Sequence, residues 1–457
     1  MIATQSRITF PVLVFEEVKQ HLLRGDAEEV ALLFAHQAIT GCTAGLVVSR
    51  WVPVPPDALL IQRQDQFAVD SDFVVRQVKE ARVRGESLLL AHSHPGDNNI
   101  PYFSRADSYG EANLYALLQL RLPGRIHGAV VFSPGGVSAR LLYPDQIVIL
   151  ATVRVVGRRV QTFQAAREVV PPASDSMYAR QELMWGSQGQ HLLREATIGI
   201  IGAGGTGSVV AQQLIHLGVG NLIAVDPDIV ILSNLTRIVG AHLSDVDHTK
   251  KVDVIARMAQ DVNPEVRVRA IPESVCQASI LRELVGVDLL FLCTDGHYSR
   301  AVINALGIQY LIPIVDLGFR IEMNQAKDRV ASAIGEVRIV VPGGYCLSCA
   351  GVLDAERILA EKANPKDRAA FPGYFANLDV PDPSVITLNS AIGSLAVTIG
   401  LDILIPTMKS TSELDSFRFN ALKGLTKHEP KAKNPMCGIC SSEGLSGLAD
   451  DHPLPCD

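Results

Sequence analysis

Thr197-Ile198-Gly199-Ile200-Ile201-Gly202-Ala203-Gly204-Gly205-Thr206-Gly207 is the stretch on which the reading of this chain turns. An apolar run of five residues, ended by a glycine cluster, reads as a strand that stops at a tight turn. The glycines 202, 204, 205 and 207 let backbone N–H groups approach a phosphate at the start of the next helix. That helix is expected over 207–216, and the next strand over 222–225. Asp226 ends this second strand, about twenty residues past the turn, where a carboxylate can bind ribose hydroxyls. Up to this point the sequence serves a dinucleotide-binding dehydrogenase as well as an ATP-using enzyme.

Further out, strands and helices go on alternating. A helix is expected over 251–261, and strands over 266–271 and 289–293. The pattern implies an α/β domain with a Rossmann-like, mostly parallel, doubly wound sheet. Upstream, a separate mixed α/β domain is expected over 1–156. It would hold a helix at 16–23, strands at 30–34, 87–91 and 128–132, and a helix at 107–120. Residues 157–176 are basic and contain Val170-Pro171-Pro172-Ala173-Ser174, which reads as a linker. The second domain would then span 177–440, and 441–457 would be a flexible tail. A length of 457 residues fits two or three domains.

Composition narrows the function. Hydrophobic residues make up 47% and charged ones 19%, which suits packed cores rather than disorder. A net charge of −7 argues against a nucleic-acid partner. The N-terminus, MIATQSRITFPVLVFEEVKQ, lacks the basic start and unbroken apolar core of a signal peptide. The most apolar stretch, 385–404, is interrupted by Asn389 and Asp402, so a buried helix is expected there and not a membrane span. A cytoplasmic protein is expected, in which C-x-x-C pairs are metal ligands before they are disulfides.

The residues beyond Asp226 decide between the two nucleotide readings. Arg237 and Lys251 add fixed positive charge, which a triphosphate needs and NAD does not. Asp295, in Cys293-Thr294-Asp295, ends a strand and offers magnesium a hard oxygen ligand. Such a site suits attack of a carboxylate on the α-phosphate of ATP with pyrophosphate leaving, where catalysis is charge neutralisation and positioning. The ordered set resembles the MoeB/ThiF and ubiquitin-activating enzyme superfamily. The resemblance implies that Asp226 binds ribose, that Asn234 and Arg237 contact phosphate, and that Lys251 is the catalytic lysine. Met177-Tyr178-Ala179-Arg180-Gln181 resembles the family's Y-x-R-Q helix, whose arginine reaches the ATP of the partner subunit. A homodimer is therefore implied. Where the family usually has Arg-Gln, this chain has Arg237-Ile238.

The first domain carries a different chemistry. The strand ending at Ala91 delivers His92-Ser93-His94-Pro95, and histidines two apart on extended chain share a face. With Asp107, at the start of the next helix, they make an open zinc site whose fourth position is left for water. Glu28 or Glu29 would be the general base, and Ser104 would donate to an oxyanion. The pattern resembles the JAMM (JAB, MPN-plus) metalloproteases, which cleave after ubiquitin-like C-termini. The family's spacing selects Glu28, with Glu29 as the fallback. The loop from His94 to Ser104 is longer here than in eukaryotic members.

Two further pairs, Cys346-x-x-Cys349 and Cys437-x-x-Cys440, would close a four-thiolate structural zinc site, as MoeB-like enzymes do. No cysteine lies between them to form a thioester, and Ser384 or Thr387 is the candidate for an oxyester instead. Together these readings predict trimming or deconjugation of a ubiquitin-like β-grasp carrier by the first domain. The second would adenylate the carrier's C-terminal carboxylate, using ATP and Mg2+. Two zinc ions are expected, one catalytic and one structural. A conjugating enzyme or a sulfur donor would be a further partner. Alternatives are activation of a sulfur carrier for thiocarboxylate formation, a first domain that only docks the carrier, and an NAD-dependent oxidoreductase.

Overall fold

The computed structural model describes residues 6–40, 44–145, 147–163, 177–363, 383–405 and 415–456. They fall into two units. One runs up to residue 170 and takes in 309–311 and 445–453; the other holds the rest.

The first unit contains β1 (Arg7–Pro11), α1 (Val12–Leu22), β2 (Val30–Ile39), β3 (Ala44–Pro53), β4 (Leu59–Gln62), β5 (Phe67–Val69) and α2 (Ser71–Arg84). After these come β6 (Ser87–Ser93), α3 (Arg105–Arg121), β7 (His127–Ser133), β8 (Gly136–Leu142), β9 (Val148–Val156) and β10 (Val160–Phe163). Eight strands form one sheet in the order β1-β3-β2-β6-β7-β8-β9-β10. β1 also pairs in parallel with β9, so the sheet curls back on itself. Side chains alternate between two cores, as a period of two requires. Ala31, Leu33, Leu89 and Ala91 face Phe15, Val18 and Leu22 of α1. Val30, Leu32, Leu88 and Leu90 share the other core with Tyr115 and Leu118 of α3. Burial on both faces makes β2 and β6 continuous apolar runs, and it carries the parity of Leu88 and Leu90 forward to His92 on the α3 side.

Two expectations fail here. The linker expected from residue 157 is not one throughout: Val160–Phe163 is a strand antiparallel to β9, with Phe163 stacked on Phe15 at 5.8 Å. The rest of the expected linker, 164–176, lies outside the described residues. Nor are the described residues of the expected 441–457 tail loose. Asp451 accepts from His36 (2.6 Å) and from Arg125 (2.8 Å), and Ala449 is fully buried. Gln309 donates to the carbonyls of Ala449 and His452 at 2.8 and 2.9 Å. The segment is held by polar partners far away in sequence, which a run of Ser, Gly and Asp does not announce.

The second unit contains α4 (Ala179–Glu195), β11 (Thr197–Ile201), α5 (Gly205–Leu217), β12 (Asn221–Val225), α6 (Lys251–Val262), β13 (Arg267–Ile271), α7 (Ala278–Leu284) and β14 (Leu289–Leu292). It continues with α8 (His297–Gln309), β15 (Ile314–Met323), β16 (Val330–Val340), α9 (Ala355–Lys362), α10 (Ile386–Leu404), β17 (Ser416–Asn420) and β18 (Leu425–His428). The sheet order is β13-β12-β11-β14-β15-β16-β17-β18. Pairings from β13 through to β15 are parallel, and those from β15 to β18 are antiparallel. The parallel half is the expected one; the antiparallel extension goes beyond it. By length and composition α10 could cross a membrane. It packs against α5 and β15, burying Ile392, Ala396, Val397 and Ile403.

Candidate active sites

The glycine turn sits at the carboxyl end of the parallel strands, where open α/β sheets bind ligands. Gly202 adopts φ +93°, and a Cβ on it would stand 3.0 Å from the Cys293–Thr294 backbone. At Gly207 a Cβ would run into the Gly202 carbonyl oxygen, so α5 can start this close to β11 only with glycine there. Gly204 is open, with nothing within 4 Å of a Cβ. Asp226 is buried and braced: one carboxylate oxygen accepts from the Ala203 N–H (2.7 Å), the other from the Asp228 N–H (2.9 Å). Burial raises its pKa, and Lys251, 4.0 Å away, pulls against that rise. Lys251 also bonds Asp228 at 2.7 Å, which parks the ammonium beside the turn.

The remaining residues of the set vary in how they are placed. The Arg237 stem packs against the first residue of α5, 3.2 Å from the Gly205 Cβ position, and its guanidinium donates to the Ser233 carbonyl (3.0 Å). Asn234 is buried and accepts from the Ile231 N–H (3.3 Å). Asp295 is exposed, just past the end of β14. An exposed carboxylate is a hard oxygen donor of the kind magnesium accepts. Arg180 is exposed on the first turn of α4, and among the described residues no hydrogen bond ties it to the turn. Its neighbours are anchored. The Tyr178 hydroxyl accepts from Asn263 (2.6 Å), and Gln181 donates to the Leu217 carbonyl (2.9 Å). Sequence reasoning missed Asn389. On α10 it is buried against Gly205, and it donates to Ser384 Oγ (3.0 Å). Its signal was a lone amide inside an apolar helix. That bond is the partner found for Ser384, and no base is paired with it among the described residues.

In the first unit β6 and α3 bring His92, His94 and Asp107 together. One ligand atom from each lies within 4.8 Å of the others. His92 Nε2 is 3.3 Å from Asp107 Oδ1, and His94 Nε2 is 3.5 Å from Oδ2. Burial works against the charge of Asp107, but the two imidazoles outweigh it and hold the carboxyl well below its usual range. Both ring nitrogens of His92 are buried and neither makes a well-aligned hydrogen bond, Nε2 having only its 3.3 Å approach to Asp107. Buried polar atoms of native proteins are nearly always satisfied, and a cation held by one ring nitrogen of each histidine and an Asp107 oxygen would satisfy one of the two on His92. The residues therefore fit zinc. Ser104 is the N-cap of α3: its Oγ accepts from the Asp107 N–H (3.0 Å), and Asp107 Oδ2 accepts from the Ser104 N–H (2.6 Å). The S-x-x-D pattern is thus a capping box as well. Because Oγ accepts, its proton remains available to an oxyanion.

The choice between the two glutamates is geometric. Glu29 forms a two-bond pair with Arg24, both at 2.9 Å. Glu28 is buried and lies 3.7 Å from His94. Burial pushes the Glu28 carboxyl up to about 7, against the pull of His94, which suits a base working near neutral pH.

The four cysteines converge in the second unit. Sγ separations are 3.8 Å for Cys346–Cys349, 3.7 Å for Cys346–Cys437 and 3.5 Å for Cys349–Cys440. A tetrahedron with Zn–S bonds of ~2.3 Å has edges of about 3.8 Å, so the thiols are already spaced for one ion. Backbone N–H groups of Asn434 and Ile439 point at Cys349 and Cys437, both at 3.4 Å.

Parts of this chain resemble known proteins. A family model described as "ThiF family" matches residues 178–439. A SAMP-activating enzyme E1 of Haloferax volcanii is 25% identical over 279 residues, covering 60% of this chain and 91% of that protein. A sulfur carrier protein adenylyltransferase of Thermus thermophilus is 34% identical over 285 residues, covering 61% and 95%. The crystal structure of E. coli MccB with ATP is similar at 19% identity and a TM-score of 0.47, over 59% of this chain and 75% of that one.

Proposed function

This chain belongs to the ThiF family, and from that premise we propose that its second unit adenylates the terminal carboxylate of a ubiquitin-like β-grasp carrier. The observation that carries this reading is the meeting of the open glycine turn, the braced Asp226 and the Lys251 ammonium at one sheet edge. The carrier carboxylate attacks the α-phosphorus of ATP, the bond to the β-phosphate oxygen breaks, and pyrophosphate leaves. N–H groups at the start of α5 hold phosphate oxygens. Lys251 leaves Asp228 to neutralise the charge that develops, and Arg237 reaches the phosphates from beside Gly205. Magnesium, when bound, would neutralise the departing pyrophosphate, and Asp295 is the residue that would hold it. The Thermus relative is named for a sulfur carrier, which favours thiocarboxylate formation as a second destination for the same adenylate.

The first unit, in this proposal, is a zinc isopeptidase of JAMM type acting on the same carrier tail. His92, His94 and Asp107 would hold zinc, which supplies a water with a pKa of about 7. Glu28 would be the proton acceptor beside that site and the donor to the leaving amine, and Ser104 would donate to the oxyanion. The intact set weighs against a first unit that merely docks the carrier. Mass spectrometry tests the proposal. The protein is incubated with a β-grasp carrier extended past its terminal glycine. Expected are a trimmed carrier without ATP and an acyl-adenylate with ATP. A carrier left intact removes the isopeptidase half. A pre-trimmed carrier that yields no adenylate removes the other.

A further inference from the structure

The loop bearing Asp295 is held by a second helix that the nucleotide site does not otherwise use. At one end of α9, the Asp354 N–H donates to His297 Nδ1 (3.2 Å), while the Asp354 carboxylate caps α9 at the N–H groups of Glu356 (2.9 Å) and Arg357 (3.2 Å). At the other end, Glu361 turns back onto α8. Its Oε1 accepts from the His297 N–H at 2.9 Å and its Oε2 from the Tyr298 N–H at 2.7 Å. Oε2 also lies 3.2 Å from the place a Cβ on Gly296 would occupy. The Lys362 ammonium sits 5.0 Å over the Tyr298 ring. Both ends of α9 are thus fastened to the first residues of α8, directly after Asp295 and Gly296.

The two N–H groups that Glu361 accepts from are ones a helix leaves unpaired at its start. A carboxylate there makes charge-assisted bonds and is favoured by the helix dipole. The rest of the loop is tied locally. Thr294 Oγ1 meets Ser299 Oγ at 2.9 Å, and Arg300 donates twice to the Thr294 carbonyl, at 3.0 and 2.9 Å. Glu361 is the side-chain carboxylate that reaches the first N–H groups of α8 from 64 residues further along the chain, beside the Asp354 N–H bond to His297 and the Arg300–Asp316 pair at 3.4 Å.

We propose that Glu361 is a positioning residue for the magnesium site. It fixes the bearing of the Asp295 loop and places a second negative charge behind that carboxylate, so that the cation–ATP complex binds more tightly. It acts through backbone and touches neither ATP nor metal, because both its oxygens face N–H groups. This rests on the adenylation reading of Asp295.

The test uses Mn2+ as a probe for the cation, with free Mn2+ read by electron paramagnetic resonance during titration into the full-length protein with ATP. Glu361→Gln replaces one accepting oxygen with an amide that faces a backbone N–H. Its Mn2+–ATP affinity should fall roughly 10- to 100-fold, and Glu361→Asp, which keeps the charge, should recover part of the loss. Affinity for ATP without metal should be unchanged. In pyrophosphate exchange, Glu361→Gln should need more Mg2+ and regain its kcat at high Mg2+. Wild-type Mn2+–ATP affinity in Glu361→Gln overturns the proposal. So does an equal loss of metal-free ATP binding, or a kcat that Mg2+ does not restore, since either marks a mere structural prop. If Glu361→Gln does not fold, the same titration of Glu361→Asp decides, with a weaker loss expected and wild-type affinity overturning. A wild-type protein with no cation-dependent ATP binding would instead remove the adenylation reading itself.

Discussion

Replacing Gly207 with alanine probes the nucleotide turn from within. A Cβ there drives into the Gly202 carbonyl, backbone against backbone. Gly202 cannot yield, since it sits at φ +93° with the Cys293–Thr294 backbone 3.0 Å from its own Cβ position. The start of α5 must therefore draw back from β11 by roughly 1 Å, and overpacking of that kind costs about 1–3 kcal/mol. For a domain of this size, each kcal/mol lowers Tm by about 2–4 °C. The same movement carries the N–H groups at the start of α5 off the phosphate, and a misplacement of ~1 Å can cost on the order of a hundredfold in rate. Gly204 is the contrast. Its φ is −77° and its Cβ position is open. Alanine there should cost at most about 1 kcal/mol as an N-cap, while its methyl group enters the space a phosphate approaches. Thermal unfolding and calorimetric titration with ATP, run well below both transitions, separate the two effects. Gly207→Ala should lose both stability and ATP affinity, and Gly204→Ala mainly affinity. A Gly207→Ala protein with wild-type Tm and wild-type ATP affinity would show that α5 does not depend on a bare Cα at this approach.

Three further outcomes are expected. Cys346→Ser should lose the structural zinc and lower Tm, because metal binding there is part of the folding free energy; metal analysis should still find zinc at His92, and full retention of both ions would contradict the site. His127 is fully buried, with Nδ1 accepting from the Leu88 N–H (3.2 Å), and burial holds its pKa down to about 4. The unfolded chain takes up that proton near 6.5 and the fold only near 4. Stability is therefore whole above pH 6.5 and falls by roughly 3 kcal/mol as pH drops to 4. Urea unfolding of His127→Gln across this range should show a shallower slope, and an unchanged slope counts against the argument. Arg180→Ala and Asp295→Ala should each be inactive in pyrophosphate exchange, yet mixed subunits should regain activity, since a symmetric dimer then holds one intact site. No recovery after proven subunit exchange would sink the homodimer.

How far the sequence alone could go depended on whether a signal was local. β11 and α6 stood out because their periodicity and boundaries lie within a dozen residues, and the boundary at Asp226 came from the strand it ends. His92, His94 and Asp107 were legible for the same reason: parity along β6 and the first turn of α3 set their faces. Glu28 could not be told from Glu29 by parity, because both precede β2. Only the pairing of Glu29 with Arg24, which the packed fold sets, and the nearness of His94, from far along the chain, separate them. β10 was lost because Val160-Gln161-Thr162-Phe163 is short and comes after Gly157-Arg158-Arg159, a turn-like basic run. Its strand state comes from pairing with β9. The β1–β9 pairing joins residues about as far apart as the first unit allows, and no local pattern encodes it. Residues 445–453 fail in the same way, held by His36 and Arg125 from far upstream. Asn389 was seen as an interruption of an apolar helix, but its place beside Gly205 emerges only when α10 packs on α5.

In the proposed reaction the second unit transfers adenylate to a carrier carboxylate with Asp295 holding the cation. The most direct measurement is pyrophosphate exchange driven by a β-grasp carrier ending in an exposed glycine, comparing wild type, Asp295→Ala and Glu28→Ala. Wild type and Glu28→Ala should exchange at similar rates. Asp295→Ala should fall on the order of a hundredfold or more, since one electrostatic partner of the transition state is gone. Exchange by Asp295→Ala at the wild-type rate would contradict the account.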